Sequence, residues 1–170
     1  MGLDFATVYE MHAATVLRSL RRLGVREADL EDVAQEVFVI IHRKLPEFEA
    51  RSSIKTWIFG ICIRVASDWR QRAHVRRETP SEEVPERTIS GELPTRQIAL
   101  RQARRKLEAL LNQLDAHKRE VFVLFELEQV PMTEVAEAVG VPLQTAYARL
   151  YAARKFIEQA VTEERQEVSV

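Results

Sequence analysis

Residues 129–155, QVPMTEVAEAVGVPLQTAYARLYAARK, predict two helices joined by a tight turn, which is the pattern of a helix-turn-helix. Gly140 can adopt the left-handed conformation that ends a helix. Pro142 cannot continue the first helix but can begin the second. The second helix then places Ala146, Leu150 and Ala153 inward at helical spacing.

The outward face of that second helix carries Gln144, Thr145, Tyr147, Ala148, Arg149 and Ala152. Small side chains allow close approach to a DNA groove, and Gln, Thr and Arg can contact base edges or phosphates. The competing interpretation is an ordinary helical hairpin with a polar outer face. The rest of the chain is needed to decide between the two.

Composition favours a soluble helical protein. The 170 residues are 46% hydrophobic and 30% charged, with five glycines and six prolines. The net charge of −1 conceals an uneven distribution. Residues 51–77 hold seven Lys or Arg against one acid, whereas residues 79–96 hold four acids against two bases.

Hydrophobic periodicity predicts an all-α fold with two small domains. In the first domain, residues 1–77, we expect helices over 5–23, 29–44 and 53–77, with Asp29 capping the second. Three amphipathic helices can share one core.

A flexible acidic linker is predicted at residues 78–94, which contain three prolines and five acids. The second domain, residues 95–162, contains the helix-turn-helix, and residues 163–170 form a polar, frayed tail. Asp115 is expected to cap a helix within this domain. The preceding helix is expected to bury Leu100, Ala103, Leu107, Leu110, Leu111 and Leu114.

Several functional classes are not supported by the sequence. Cys62 is the single cysteine, which fits a reducing cytoplasm and leaves no zinc-ligand set. Neither a signal peptide nor an apolar run of membrane-spanning length is recognisable. No phosphate-binding glycine loop or catalytic histidine arrangement appears. We therefore expect no enzyme activity, metal or cofactor, and a cytoplasmic location.

Residues 29–38, DLEDVAQEVF, begin a helix with a polar face opposite its apolar stripe. Asp32, Gln35, Glu36 and Val39 lie on or beside that polar face. An acidic docking surface for a basic partner is one interpretation. A merely solubilising surface is the other, and the pattern alone favours it.

Residues 48–77 mix aromatic and cationic side chains, a combination suited to single-stranded nucleic acid. Trp57 and Trp69 are expected in the core instead. Phe59 and the loop over residues 48–53 are the better candidates for exposed contacts.

The three segments, in this order, resemble the extracytoplasmic-function (group four) RNA polymerase sigma factors. The resemblance spans about residues 5–160 and rests on DLEDVAQEVF, FEARSSIKTWIFGICIRVASDWRQR and LDAHKREVFVLFELEQVPMTEVAEAVGVPLQTAYARLYAARK. One departure is that the loop before the third helix, often glycine-rich in that family, has Ala50 and Ser52 here.

The resemblance implies a sigma factor that binds core RNA polymerase, reads −35 and −10 promoter elements and assists −10 melting. It implies core-polymerase contacts by Asp32, Gln35, Glu36 and Val39. It implies −10 DNA contacts by Phe48, Glu49, Arg51, Ser52, Ser53, Lys55, Phe59, Arg64 and Arg70. It implies −35 DNA contacts by Gln144, Thr145, Tyr147, Ala148, Arg149 and Lys155.

An anti-sigma factor, often membrane-anchored in that family, is a further expected partner that clamps both domains. The alternative function is a helix-turn-helix regulator that binds duplex DNA without polymerase. A third is an interaction module such as a sigma-like decoy. A plain repressor has no need of the DLEDVAQEVF helix and the aromatic-basic segment, so the sigma factor is favoured.

Overall fold

A computed structural model describes residues 4–77 and 95–168, and every regular element in these two segments is helical. The predicted linker at 78–94 lies outside the described residues. The N-terminal half holds α1 (Phe5–Arg22), α2 (Leu30–Lys44) and α3 (Ile54–Arg77). The C-terminal half holds α4 (Thr95–Gln113), α5 (Ala116–Phe122), α6 (Met132–Val139) and α7 (Leu143–Val168).

Local signals in the sequence account for most helix ends. The Asp4 carboxylate accepts a hydrogen bond from the Thr7 backbone N–H at 2.9 Å and begins α1, and this bond lowers the pKa of Asp4. Gly24, with φ of +92°, follows the end of α1. Asp115 caps α5 through the Lys118 N–H at 3.0 Å, as predicted.

The predicted cap at Asp29 is wrong in its chemistry. Asp29 occupies the residue before α2, but its carboxylate makes no bond to the helix. It accepts from the Arg26 guanidinium at 2.8 Å instead. A short 3-10 turn over Glu27–Asp29 leads into α2 and takes the place of a side-chain cap.

The core of the N-terminal half lies where α1, α2 and α3 meet. Fully buried side chains come from each helix, among them Leu20, Val37 and Ile58. In the C-terminal half, α5 continues through a π-helical turn at Val123–Leu127, and α5 and α6 pack on α7. Buried apolar residues of both halves belong to one hydrophobic cluster.

Two other predictions for the C-terminal half are corrected. Leu100 is 62% exposed and Ala103 is also exposed, because only the C-terminal part of α4, from Leu107 onward, packs on the core. The expected tail does not begin at residue 163, since α7 continues through Val168. An uninterrupted run without proline or glycine lets the helix extend past its last core contacts.

Candidate nucleic-acid and partner interfaces

The helix-turn-helix has the predicted geometry. Gly140 adopts φ of +70° and ends α6, and the Val141 N–H donates to the Ala136 carbonyl at 3.0 Å. Ala146 and Leu150 at the start of α7 are at most 1% exposed. The turn therefore fixes which face of α7 points outward.

That outward face presents the residues expected to read duplex DNA. Gln144, Tyr147 and Ala148 are exposed together at helical spacing, and Lys155 is exposed further along α7. Thr145 and Arg149 lie half-buried at the edge of the same face. The structure thus places six predicted side chains on the outer part of one helix.

The polar face of α2 is also presented to solvent. Its exposed residues are Asp32, Gln35, Glu36 and Val39. Val39 is 48% exposed, whereas the apolar stripe on the opposite side of α2 is buried. Glu36 pairs with Arg72 of α3 at 2.9 Å, and this hydrogen bond raises the pKa of Arg72.

The loop over residues 48–53 is a compact structure at the start of α3. The Phe48 and Trp57 rings lie 5.1 Å apart, and Arg51 pairs with Glu49 at 2.5 Å. Ser53 begins α3 by accepting the Thr56 N–H at 3.0 Å, so this predicted DNA contact has a structural role. The loop adjoins a cavity of about 300 Å³ lined by Glu47, Phe48, Glu49, Arg51, Ser52, Trp57 and Glu137.

The predicted exposure of Phe59 is wrong, since the side chain is 1% exposed. Phe59 shares a helical stripe with the buried residues Cys62, Ile63 and Ala66. A second buried stripe runs beside it, so α3 is buried over a wide arc. The uninterrupted apolar run from Trp57 was the signal for this burial.

Three cations of α3 expected to contact −10 DNA differ in their surroundings. Arg64 is exposed and donates only to the Gly60 carbonyl among the bonds described, at 3.2 Å. Lys55 lies 3.4 Å from the Glu128 carboxylate. Arg70 lies 2.8 Å from the Glu120 carboxylate. Both carboxylates belong to the C-terminal half.

Glu128 is a site residue that sequence reasoning missed. Its side chain is 2% exposed and pairs with Arg22 at 2.7 Å and with Arg18 at 3.4 Å, both on α1. An acid inside the apolar run VFVLFELEQV was the available signal. Buried charges need a partner, but the pattern does not show where that partner comes from.

Arg119 is a second missed residue. Its guanidinium is buried and donates to the carbonyls of Leu23, Leu111, Asn112 and Leu114 at 2.7–3.2 Å. Burial and the neighbouring Arg70 charge lower the pKa of Arg119, yet an arginine remains protonated at neutral pH. Four carbonyl dipoles therefore stabilise this cation.

The described residues supply little for metal or thiol chemistry. Burial raises the pKa of the Cys62 thiol to about 12, so the reactive thiolate is disfavoured. In residues 4–77 and 95–168, no group of three or more His, Cys, Asp or Glu side chains is placed to hold a metal ion. Within the same segments, no helix is both long and apolar enough to cross a membrane.

Two family models match the chain in order. The Sigma-70 region 2 model matches residues 8–77, and the Sigma-70 region 4 model matches residues 104–157. These two stretches, called region two and region four below, together contain most of the chain. Region two holds the α2 face and the 48–53 loop, and region four holds the helix-turn-helix.

Individual proteins agree with the family models. The chain is 24% identical over 153 residues to RNA polymerase sigma factor NccH of Alcaligenes xylosoxydans xylosoxydans, covering 88% of this chain and 82% of the relative. It is 26% identical over 142 residues to ECF RNA polymerase sigma factor SigX of Bacillus subtilis, covering 79% and 72%.

A solved structure supports the fold. The sigma factor RpoE of Bartonella quintana, crystallised with the anti-sigma factor NepR, matches with a TM-score of 0.63 and 21% identity. The match covers 91% of this chain and 96% of that one. With both regions present in order and in the expected helical fold, the chain belongs to the extracytoplasmic-function group of RNA polymerase sigma factors.

Proposed function

We propose that three surfaces of this sigma factor divide the work of initiation. The α2 face docks on core RNA polymerase, the 48–53 loop and the cations of α3 hold the −10 strand, and the outer face of α7 reads the −35 element. Residues 1–77 and 95–162 form the corresponding domains. The observation that carries this proposal is the outward presentation of Gln144, Tyr147 and Ala148 above a buried inner face of α7.

The α2 face is suited to a basic, partly apolar partner surface. Asp32, Gln35, Glu36 and Val39 lie at spacings of three and four residues, so they form one stripe along the helix. The exposed Val39 supplies apolar contact beside two carboxylates. The ion pair between Glu36 and Arg72 is itself exposed and costs little to exchange for an interface contact.

The 48–53 loop has the features that an unstacked base needs. Such a base is held by polar groups at its edge and by an aromatic surface on its plane. Phe48 and Trp57 provide aromatic surface beside the cavity, and Glu49, Arg51 and Ser52 provide polar groups. Ser53 supports this site by capping α3, and Phe59 supports it from the core. Positive charge for the phosphates comes from Lys55, Arg64 and Arg70.

At the −35 element, the N-terminal part of α7 enters the major groove, as recognition helices of this motif do. Gln144 and Thr145 are nearest the start of the helix. Arg149 follows one turn later, and the exposed Lys155 is placed to contact the backbone. This division assigns sequence reading to about the first two turns of the helix.

An anti-sigma factor is the regulatory partner in this proposal. The Bartonella quintana relative of similar fold was crystallised with one. A partner that binds the α2 face and holds both regions blocks polymerase docking by steric exclusion. A membrane-anchored partner of this kind would place the complex at the cytoplasmic side of the membrane. The sigma factor itself acts in the cytoplasm, without enzyme activity and without a cofactor.

Run-off transcription with core polymerase on a promoter library tests this function. We expect the chain to direct initiation from a defined set of promoters sharing −35 and −10 sequences. A triple variant, Gln144→Ala, Thr145→Ala and Arg149→Ala, should bind core polymerase normally but lose selection of the −35 sequence. Unchanged promoter choice by this variant would refute the proposal that α7 reads the −35 element.

A further inference from the structure

Region four places buried carboxylates on the basic face of region two. Glu128 is the central one, with 2% of its side chain exposed. Its carboxylate lies 2.7 Å from Arg22, 3.4 Å from Arg18 and 3.4 Å from Lys55. The Lys55 ammonium also donates to the Glu128 backbone carbonyl at 3.4 Å. One acid of region four is thus the shared ion-pair partner of three cations of region two.

A second contact lies at the end of α1. The Arg70 guanidinium donates to Glu120, whose side chain is 7% exposed, at 2.8 Å. Arg70 and Arg119 both donate to the Leu23 carbonyl, at 2.8 and 3.2 Å. One of these arginines belongs to each region, so the carbonyl at the end of α1 joins them.

A third acid of region four faces the −10 loop. Glu137 of α6 lines the same cavity as Phe48, Arg51 and Ser52. Carboxylates at 120, 128 and 137 therefore lie along the surface that was assigned above to the −10 strand. Their charge and their oxygen acceptors are those of a phosphate backbone, and Arg and Lys bind both groups in the same way.

We propose that region four inhibits the sigma factor in cis: it closes over the −10 surface of region two, with Glu128 as the main contact. The acids occupy Lys55 and Arg70, so a single strand binds only after the two regions separate. This inference rests on the proposed role of Lys55 and Arg70 in binding the −10 strand. It concerns the free chain, before any partner binds.

The buried position of Glu128 makes it the decisive residue. Removing the Glu128 charge leaves three cations without their shared partner, and Arg22, at 22% exposure, is the least solvated of them. The closed state would lose its main contact, whereas the open state exposes the same groups to water. If only the open form binds the strand, the apparent affinity of the chain is reduced by the fraction of molecules that are open. If about 1–10% of the wild-type molecules are open, a fully open variant binds the strand with about 10- to 100-fold higher affinity.

The experiment uses the full chain and two readouts. Small-angle X-ray scattering gives the radius of gyration, and fluorescence anisotropy gives the affinity for a labelled single-stranded oligothymidylate. Glu128→Gln removes the charge at nearly constant shape. Arg22→Gln breaks the shortest pair from region two, at a residue outside the proposed DNA surface. Glu158→Gln, an exposed position on α7, controls for the change in net charge.

We expect the wild-type chain to be compact, and both test variants to expand and bind oligothymidylate at least about tenfold more tightly. Glu158→Gln should match the wild type in size. Circular dichroism establishes whether each variant is folded. If Glu128→Gln does not fold, Arg22→Gln alone tests the closed state. A wild-type chain as expanded as both variants would overturn the closed state.

Expansion without tighter binding would also overturn the inhibition. Lys55→Ala with Arg70→Ala, placed in the Arg22→Gln chain, then separates the two proposals. If this change weakens oligothymidylate binding, the −10 surface is correctly assigned and only the inhibition fails. If it has no effect, the assignment of the −10 surface fails as well.

Discussion

The outer face of α2 and the basic face of α3, formed by Lys55, Arg64 and Arg70, belong to the same three-helix region. They differ in how far the C-terminal half of the chain covers them. Asp32, Gln35 and Glu36 are exposed, and the ion pair of Glu36 with Arg72 is open to water. Lys55 and Arg70 instead lie against carboxylates that are almost completely buried. The surface proposed for polymerase is available in the closed chain, while much of the surface proposed for the −10 strand is occupied.

This difference suggests an order of events. Core polymerase can engage the α2 face without disturbing the contacts between regions two and four. Under the proposed −10 assignment, promoter DNA has to compete with Glu120 and Glu128 for Lys55 and Arg70. We therefore expect a closed sigma factor to bind polymerase first and to expose its proposed −10 surface afterwards.

The largest expected effect concerns the α2 face. Asp32→Lys with Glu36→Lys should weaken binding to core polymerase by about 2–5 kcal/mol, as when a hydrogen-bonded charge at an interface loses its partner. The fold should remain intact, because both side chains are exposed. Affinity for labelled core polymerase, measured by titration, provides the test.

Glu10→Lys with Glu158→Lys is the matched control, since it reverses two exposed charges on other helices. It should bind core polymerase like the wild type. Equal affinity of the Asp32 and Glu36 double variant and the wild type would refute the docking face.

The second effect compares two glycines with positive φ. Gly24 lies at the contact between regions two and four, and Gly140 lies in the turn of the helix-turn-helix. Gly24 has φ of +92°, and a Cβ there would lie 2.0 Å from the Arg119 guanidinium. Gly140 has φ of +70°, with no atom within 4 Å of an added Cβ. Both substitutions to Ala incur the left-handed backbone penalty of about 1–2 kcal/mol. Gly24→Ala also displaces a buried arginine, whose charged hydrogen bonds each contribute about 1.5–3 kcal/mol.

Gly24→Ala should therefore destabilise the chain by about 3 kcal/mol or more, and Gly140→Ala by about 1–2 kcal/mol. Urea unfolding followed by circular dichroism measures both. If the two variants are equally stable, the contact between Gly24 and Arg119 contributes nothing in solution.

Much of the helical framework was predictable because its signals are local. Gly140, Pro142 and Asp115 act on the residues beside them, and the structure has them as expected. The inward residues of α7 follow from periodicity alone. The same local reasoning failed at Asp29, where a nearby arginine took the carboxylate that would have capped α2.

The occupancy of the basic face was not predictable, because its partners are distant in sequence. Arg22 and Glu128 lie 106 positions apart. Phe59 was misplaced for a related reason: a helix that is covered on two sides buries residues which a single amphipathic stripe leaves outside. The sequence indicated which residues carry the chemistry, but only the packing of the two regions shows which of them are covered.

The third effect concerns the far end of the chain, where the α7 face has no such cover. Arg149→Ala should weaken binding to duplex −35 DNA by about 1–3 kcal/mol if the side chain reads a base, with relaxed preference at one position. If Arg149 binds a phosphate, all sequences should weaken alike. A binding series over promoter variants distinguishes these outcomes, with Glu158→Ala as the control on the same helix. No change on any variant would exclude both roles.

The smallest effect tests the backbone of the −10 loop. Ala50 has φ of +54°, in the left-handed region where glycine is favoured. Ala50→Gly removes a penalty of about 1–2 kcal/mol from the folded chain, and the greater freedom of glycine in the unfolded chain offsets about 0.4–1 kcal/mol of this gain. The net stabilisation should lie between zero and about 1.6 kcal/mol, visible as a higher urea midpoint. The control Ala14→Gly, at an exposed position inside α1, should instead destabilise the chain by about 0.5–1 kcal/mol, because glycine weakens a helix interior. A destabilising Ala50→Gly would mean that the loop does not hold this conformation in solution.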